Sequence, residues 1–299
     1  MATLIKDNTS EALRSTEGYG LVIAAACLWS LSGLFSKTIG LSGPVMATYR
    51  ALFAAAVLAL LLRGRKRPVQ PAIFSMMLCF VVMNASFVTA MTLTTAANAI
   101  FLQYSAPLFV FIGSVFWLKE PVTRAGLISL AIGMAGVAII VAGDLAADPL
   151  GISLALLSGV AYAGVFLHLR FLKEEDPYWL TFYNHLAAGL VLIPFLPLIS
   201  GPSLPWQIPW TGMAAMALFG IVQMGLPYVL FAKGVQKVTA QKATLIALLE
   251  PLLNPLLVFM ALGETPSQWT LAGGALLFFC VVRQFASPRP KPLRRPQPL

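Results

Sequence analysis

The stretch that decides the fold is LLEPLLNPLLVFMALGE, residues 248–264. An apolar run here carries Glu250, Pro251, Asn254 and Pro255 in its first half. A soluble core helix rarely holds such a set. An internal proline removes a backbone N–H and crowds the carbonyl one turn earlier. A buried charge without a partner is costly. Both features suit a helix that crosses a membrane beside a polar pathway, because ionisable groups turn away from lipid. Glu250 lies eight residues beyond Lys242, which is roughly 12 Å of helical rise. Ala243, Ala247, Glu250 and Asn254 fall on one helical face by their three- and four-residue steps. The prolines free carbonyls near Ala247 and Pro251. Freed carbonyls beside a carboxylate suit a substrate ammonium. The other reading is structural, with Glu250 paired to Arg50 or to another helix.

Composition extends this reading to the whole chain. Of 299 residues, 59% are hydrophobic and 10% charged, whereas soluble domains carry about 25% charged residues. The apolar runs reach the ~20 residues that span a ~30 Å hydrocarbon layer. The expected fold is an all-α polytopic membrane protein with ten transmembrane helices: 19–39, 45–62, 71–93, 95–118, 122–142, 150–170, 178–199, 210–232, 239–262 and 266–286. Turn-forming stretches such as GLSGP, RGRKRP, GDLAADP, KEEDP and GETP separate them. Residues 1–18 form an N-terminal tail with no signal-peptide pattern, and residues 287–299 a basic C-terminal tail. Cys27, Cys79 and Cys280 all fall inside apolar runs, so they are neither a disulfide framework nor a metal set.

Basic residues orient the spans. With both termini in the cytoplasm, eighteen of the twenty Lys and Arg lie on the inner side. Lys37 falls outside, and Arg50 sits about five residues into the second span. Trp117, Trp179, Trp206, Trp210 and Trp269 fall near span ends, as an interfacial belt requires. Trp29 does not, and needs another explanation.

The halves echo each other. At an offset of 144, Pro107 meets Pro251, Leu118 meets Leu262 and Glu120 meets Glu264. Near the start of each half, Gly20, Gly33 and Phe35 match Gly151, Gly164 and Phe166. Residues 19–142 and 150–286 are therefore read as two five-helix repeats. Five is odd, so the second repeat enters the membrane from the opposite side. Inverted repeats are a common architecture of alternating-access carriers.

Trp29–Ser30 in the first span, and the "P…LxxKE" and "EP…LxxGE" patterns closing the fourth and ninth, resemble the drug/metabolite transporter superfamily, EamA-type branch. The resemblance covers roughly residues 18–286 and is closest to the aromatic amino acid exporters. It implies a metabolite exporter in which spans 1–4 and 6–9 surround the pathway.

Polar residues within spans supply the pathway candidates. They are Trp29, Asn84, Asn98, Gln103, Tyr104, Tyr162, Tyr183, Gln223, Glu250 and Asn254, with Pro107, Pro251 and Pro255 as hinges. Aromatic rings with a polar tip suit an apolar substrate that also carries a polar group. Taken singly, each such residue also fits helix packing with one interhelical hydrogen bond. Arg50 either snorkels outward or meets a substrate carboxylate. His185 is a coupling candidate because imidazole titrates near neutral pH, although a packing role also explains it. Lys119 and Glu120 read as loop anchors, and Gly126, Ser129, Gly133 and Gly136 as a helix-packing stripe.

No P-loop, HExxH or nucleophile elbow appears. No cofactor, metal or nucleic acid is implied; the expected partners are a small-molecule substrate and membrane lipids, with the chain a monomer or homodimer. A phosphate-bearing substrate needs several cations, and apart from those near the span ends Arg50 is the only Lys or Arg within the spans. The expected function is secondary export of neutral or zwitterionic metabolites, most of all aromatic and other apolar amino acids, across a bacterial inner membrane. The alternatives are export of amphiphilic drugs or other metabolites, a nucleotide-sugar or phosphate-ester exchanger, and a channel. A cysteine placed in the 143–149 loop should react with a membrane-impermeant maleimide from outside the cell. Reaction only after permeabilisation would contradict the inverted repeat.

Overall fold

A computed structural model describes residues 2–117, 124–144, 148–172, 174–199, 207–235, 237, 246–247 and 249–286. Lys119, Glu120, Trp206, Lys242, Ala243 and the tail 287–299 lie outside the described residues. The described residues form helices and connecting turns, with no strands. In order they are α1 (Ala2–Trp29), α2 (Ser32–Thr38), α3 (Gly43–Leu60), α4 (Ala72–Leu93), α5 (Ala96–Gln103), α6 (Ala106–Phe116) and α7 (Arg124–Asp144). Then follow α8 (Pro149–Phe171), α9 (Pro177–Leu192), α10 (Leu196–Ile199), α11 (Trp210–Leu218), α12 (Leu226–Val235), α13 (Leu249–Leu262) and α14 (Gln268–Ala286). A 3₁₀ turn, Ile193–Phe195, precedes α10, and a π-helical segment, Phe219–Gly225, joins α11 to α12.

Among the described residues five helical stretches are long and apolar enough to cross a membrane: Thr16–Thr38, Gly43–Leu60, Ala72–Leu93, Pro149–Leu169 and Trp210–Gly234. Ala96–Val110, Ala131–Gly143, Leu249–Leu262 and Gln268–Phe279 are shorter apolar helices. The surface is apolar, with Leu60, Phe74, Phe116, Trp210 and Met260 exposed, while Arg50, Asn84, His185, Gln223, Glu250 and Asn254 are buried. Such an exposed apolar surface meets lipid more readily than water. The chain is an integral membrane protein.

Local chemistry sets the helix ends. Asp148 accepts from the N–H groups of Leu150 and Gly151 at 3.1 and 3.0 Å, and Pro149 opens α8. Asp176 caps α9 through Tyr178 N–H at 2.8 Å, again followed by proline. Both are N-caps with proline in the first turn. The N-terminal tail is helical: α1 begins at Ala2 and runs unbroken into the apolar segment. Helix-forming Ala, Leu, Glu and Arg fill residues 2–17, with no Gly or Pro before Gly18.

Two stretches read as single helices are broken. The first breaks at Ser30–Leu31, between α1 and α2. The fourth breaks at Tyr104–Ser105, just ahead of Pro107 in the first turn of α6. Pro107 has no N–H to donate to the Gln103 carbonyl four residues back, and the helix does not continue unbroken through this turn. By contrast, α13 carries Pro255 without interruption.

The main packing partners are α1 with α12, α3 with α9, α4 with α8 and α7 with α14. Exchanging the two halves carries the α1–α12 pair onto the α8–α4 pair and returns the other two pairs to themselves. Gly136 and Gly273 let α7 and α14 touch backbone to backbone: a Cβ on Gly136 would lie 2.7 Å from the Gly273 carbonyl oxygen. At one end of the bundle Lys37 pairs with Glu264 at 3.0 Å and donates to Thr94 O at 2.7 Å. Glu264 also accepts from Ala96 N–H at 2.6 Å, so one carboxylate ties three connections together. At the other end Arg65 pairs with Asp176 at 2.9 Å, and Lys237 with Glu17.

Gly220 brings the π-helical segment onto α3, where an added Cβ would lie 2.3 Å from Arg50 O and 2.9 Å from Phe53 Cβ. Gly220→Val is expected to lower stability by about 1–3 kcal/mol, the usual cost of overpacking. Gly20→Ala, at a position with open space, should change it by less than about 0.5 kcal/mol. Thermal unfolding in detergent separates the two, and equal melting temperatures would contradict the close approach.

Candidate functional site

Arg50 is the largest fully buried side chain, at 2% exposure on α3. A buried guanidinium needs acceptors, and neutral amides supply them. Asn84 Oδ1 on α4 accepts from Nε at 3.1 Å and Nη2 at 2.5 Å. Gln223 Oε1, in the π-helical segment, accepts from Nη1 at 3.2 Å. Each amide is fixed from behind: Asn84 Nδ2 donates to Ala47 O at 2.9 Å, and Gln223 Nε2 to Trp29 O at 3.2 Å. The Phe219 ring centroid lies 4.9 Å from the guanidinium carbon, within cation–π range. Arg50 therefore does not snorkel outward. Among the described residues no carboxylate comes within 4 Å of it.

Glu250, on α13, is 6% exposed. Its Oε2 lies 2.8 Å from Tyr104 Oη, at the break between α5 and α6. The same hydroxyl lies 3.0 Å from Ala247 O, the carbonyl left without its helical donor by Pro251. The Arg50–Glu250 pair of the structural reading is not formed. Glu250 instead reaches across helices to Tyr104.

Arg50 and Glu250 border one cavity, together with Trp29, Met83, Asn84, Phe87, Gln103, Tyr162, Gln223, Met224 and Tyr228. Its volume is about 30 Å³, room for about two waters on the measure where one needs ~10–15 Å³. Trp29 closes part of the wall: its ring meets Tyr228 and Phe231 at 5.1 Å each. Its buried indole N–H has no acceptor, a donor left over on the lining of a cavity.

Other sequence candidates serve different contacts. Asn98 accepts from Thr270 Oγ1 at 2.5 Å, tying α5 to α14. Asn254 donates to Ser32 Oγ at 2.7 Å, tying α13 to α2. Tyr183 accepts from Arg67 at 2.8 Å and packs on Trp179 near a bundle end. His185 Nδ1 lies 2.7 Å from Thr181 O within its own helix, and the ring packs between Phe80 and Tyr228. Sequence reasoning overlooked Tyr228, whose signal was the adjacent Pro227, and the π-helical turn, whose signal was the Gly220–Gly225 pair. Such turns recur at functional sites because they re-aim side chains.

The EamA-like transporter family model matches the chain over residues 16–142 and again over 149–282. An uncharacterized transporter of Archaeoglobus fulgidus is 31% identical over 263 residues, covering 87% of this chain and 93% of its own. YwfM, an uncharacterized transporter of Bacillus subtilis, is 27% identical over 283 residues, covering 90% and 93%. A solved crystal structure superposes with a TM-score of 0.65 at 19% identity, covering 90% of this chain and 96% of its own; at that identity it speaks to fold alone. A buried polar cavity inside an apolar bundle, with this family match over both halves, has one reading: the chain belongs to the EamA-like transporter family and is a membrane transporter.

Proposed function

We propose that this transporter exports zwitterionic amino acids, above all aromatic and other apolar ones, by alternating access across ten spans in two inverted repeats. The carrying observation is that Arg50 and Glu250 border one aromatic-lined cavity without pairing with each other. A zwitterion offers each of them its missing partner, the carboxylate for Arg50 and the ammonium for Glu250. Trp29, Tyr162, Tyr228 and Phe87 supply apolar walls for the side chain. Both termini lie in the cytoplasm of a bacterial cell, with the span order set by the basic loops.

The small cavity volume fits a closed carrier that must open to load. The Lys37–Glu264 clasp, which also holds Thr94 and Ala96, then closes the outer end. A phosphate ester would need further cations, and Arg50 is the only one on the lining among the described residues. A cationic drug would satisfy Glu250 and leave Arg50 without a counter-charge.

Purified protein in liposomes should exchange tryptophan, phenylalanine and leucine. Arg50→Gln should weaken the apparent affinity for tryptophan at least about 30-fold, the effect of removing one side of a buried charge contact worth ~2 kcal/mol or more. Arg50→Lys keeps the charge but loses the planar fork, and should fall between. Phosphate-ester exchange without amino acid flux would overturn the reading.

A further inference from the structure

The contacts of Tyr104 leave a proton count that an ionised Glu250 does not close. A tyrosine hydroxyl has one proton to donate. Two oxygens compete for it, Glu250 Oε2 at 2.8 Å and Ala247 O at 3.0 Å. If Glu250 is a carboxylate, both are acceptors and one goes short. No helical N–H can serve Ala247 O, because its partner four residues on is Pro251. Among the described residues the carboxylate would then be a nearly buried charge with one hydrogen bond and no cation within 4 Å, a costly state. A neutral carboxyl completes the chain: Glu250 O–H donates to Tyr104 Oη, and Tyr104 O–H donates to Ala247 O.

The surroundings agree with a neutral acid held in reserve. Arg50 from α3, Tyr162 from α8 and Tyr228 from α12 border the same cavity, and His185 of α9 stands behind Tyr228 with ring centroids 5.1 Å apart. From α1 and α4 come only Trp29, Met83, Asn84 and Phe87, none of which titrates. Packed along α13, α2 ends in Lys37, whose charge is bound to Glu264, roughly 20 Å of helical rise beyond Glu250. Among the described residues Arg50 is the one cation on the lining, and Asn84 and Gln223 occupy it.

We propose that Glu250 is the proton carrier of this transporter and that Tyr104 switches between two acceptors as the proton leaves. The coupling half of the proposal rests on the amino acid reading above. In the closed, proton-loaded form Tyr104 donates to Ala247 O. With the cavity open to the cytoplasm, a substrate ammonium brings three donors to Glu250 and Ala247 O. The carboxyl proton passes to cytoplasmic water, and Tyr104 turns its hydrogen to Glu250. On the outer side the ammonium departs and Glu250 takes a proton from external water. Each cycle moves one proton inward against one zwitterion outward, and proton and ammonium exclude each other at one carboxylate. The adjacency of Glu250 and Pro251 acquires a reason: the proline opens the carbonyl that completes both forms.

Infrared spectra of the substrate-free protein in lipid at neutral pH test the first half. Wild type should show a carboxylic-acid carbonyl band that vanishes in Glu250→Gln and shifts in Tyr104→Phe. Glu250→Gln should keep the wild-type melting temperature, because an amide also donates to Tyr104. Spectra identical in that band would mean an ionised Glu250 and would overturn the inference, whatever is transported. Vesicles test the second half. With membrane potential clamped at zero, a pH difference of one unit should hold about a tenfold tryptophan gradient in wild type and none in Glu250→Gln. Tryptophan flux that ignores the pH difference overturns the coupling. A Glu250 band with no amino acid flux overturns the substrate reading and upholds the protonated carboxyl.

Discussion

A guanidinium buried without a carboxylate constrains this molecule more than any other feature. Removing Arg50 from water costs several kcal/mol even after relaxation, so the fold must return that energy through fixed acceptors. Those acceptors come from α4 and from the π-helical segment, and the carbonyl behind Gln223 belongs to Trp29 of α1. Four elements are thereby held in one register. The π-helical turn is part of the same arrangement, since it presents both Phe219 and Gln223 to Arg50. Gly220 in that turn admits the α3 backbone at the level of the Arg50 carbonyl.

The carboxyl group of Glu250 is kept apart from that guanidinium. Glu250 is joined to Tyr104 and not to Arg50, although both border the cavity. A carboxyl group that closed on the Arg50 guanidinium would satisfy it and leave nothing for a ligand. Neutral amides on one side and a phenol on the other hold the two side chains separate. At the bundle ends the pairs Lys37–Glu264 and Arg65–Asp176 are partly exposed, and such pairs contribute only ~0–1 kcal/mol each.

Much of the fold was legible because lipid leaves few choices. Runs of about twenty apolar residues in a chain with 10% charge can hardly be anything but membrane helices. The Asp-Pro pairs at 148–149 and 176–177 marked helix starts, and Pro107 marked a break within a few residues. The π-helical segment was not legible, since its residues read as ordinary apolar helix. The cavity was legible in kind but not in membership. Lipid drives every mid-span polar group inward, yet the interior contains both helix contacts and the cavity. Trp29, Gln103 and Glu250 reached the cavity, while Asn98 and Asn254 bind neighbouring helices. Polarity alone does not distinguish these fates; the rotation of each helix does, and that is fixed only by tertiary packing. Tyr228 escaped notice for the same reason.

The central claim is that one cavity recognises both poles of a zwitterion. Binding of tryptophan to the purified protein, in competition with tryptamine and with indole-3-propionate, tests it most directly. Tryptamine lacks the carboxylate that Arg50 would meet, and indole-3-propionate lacks the ammonium for Glu250. Loss of either pole should weaken binding at least about 30-fold, as removing half of a buried charge contact does. Either analogue binding as tightly as tryptophan would contradict the account.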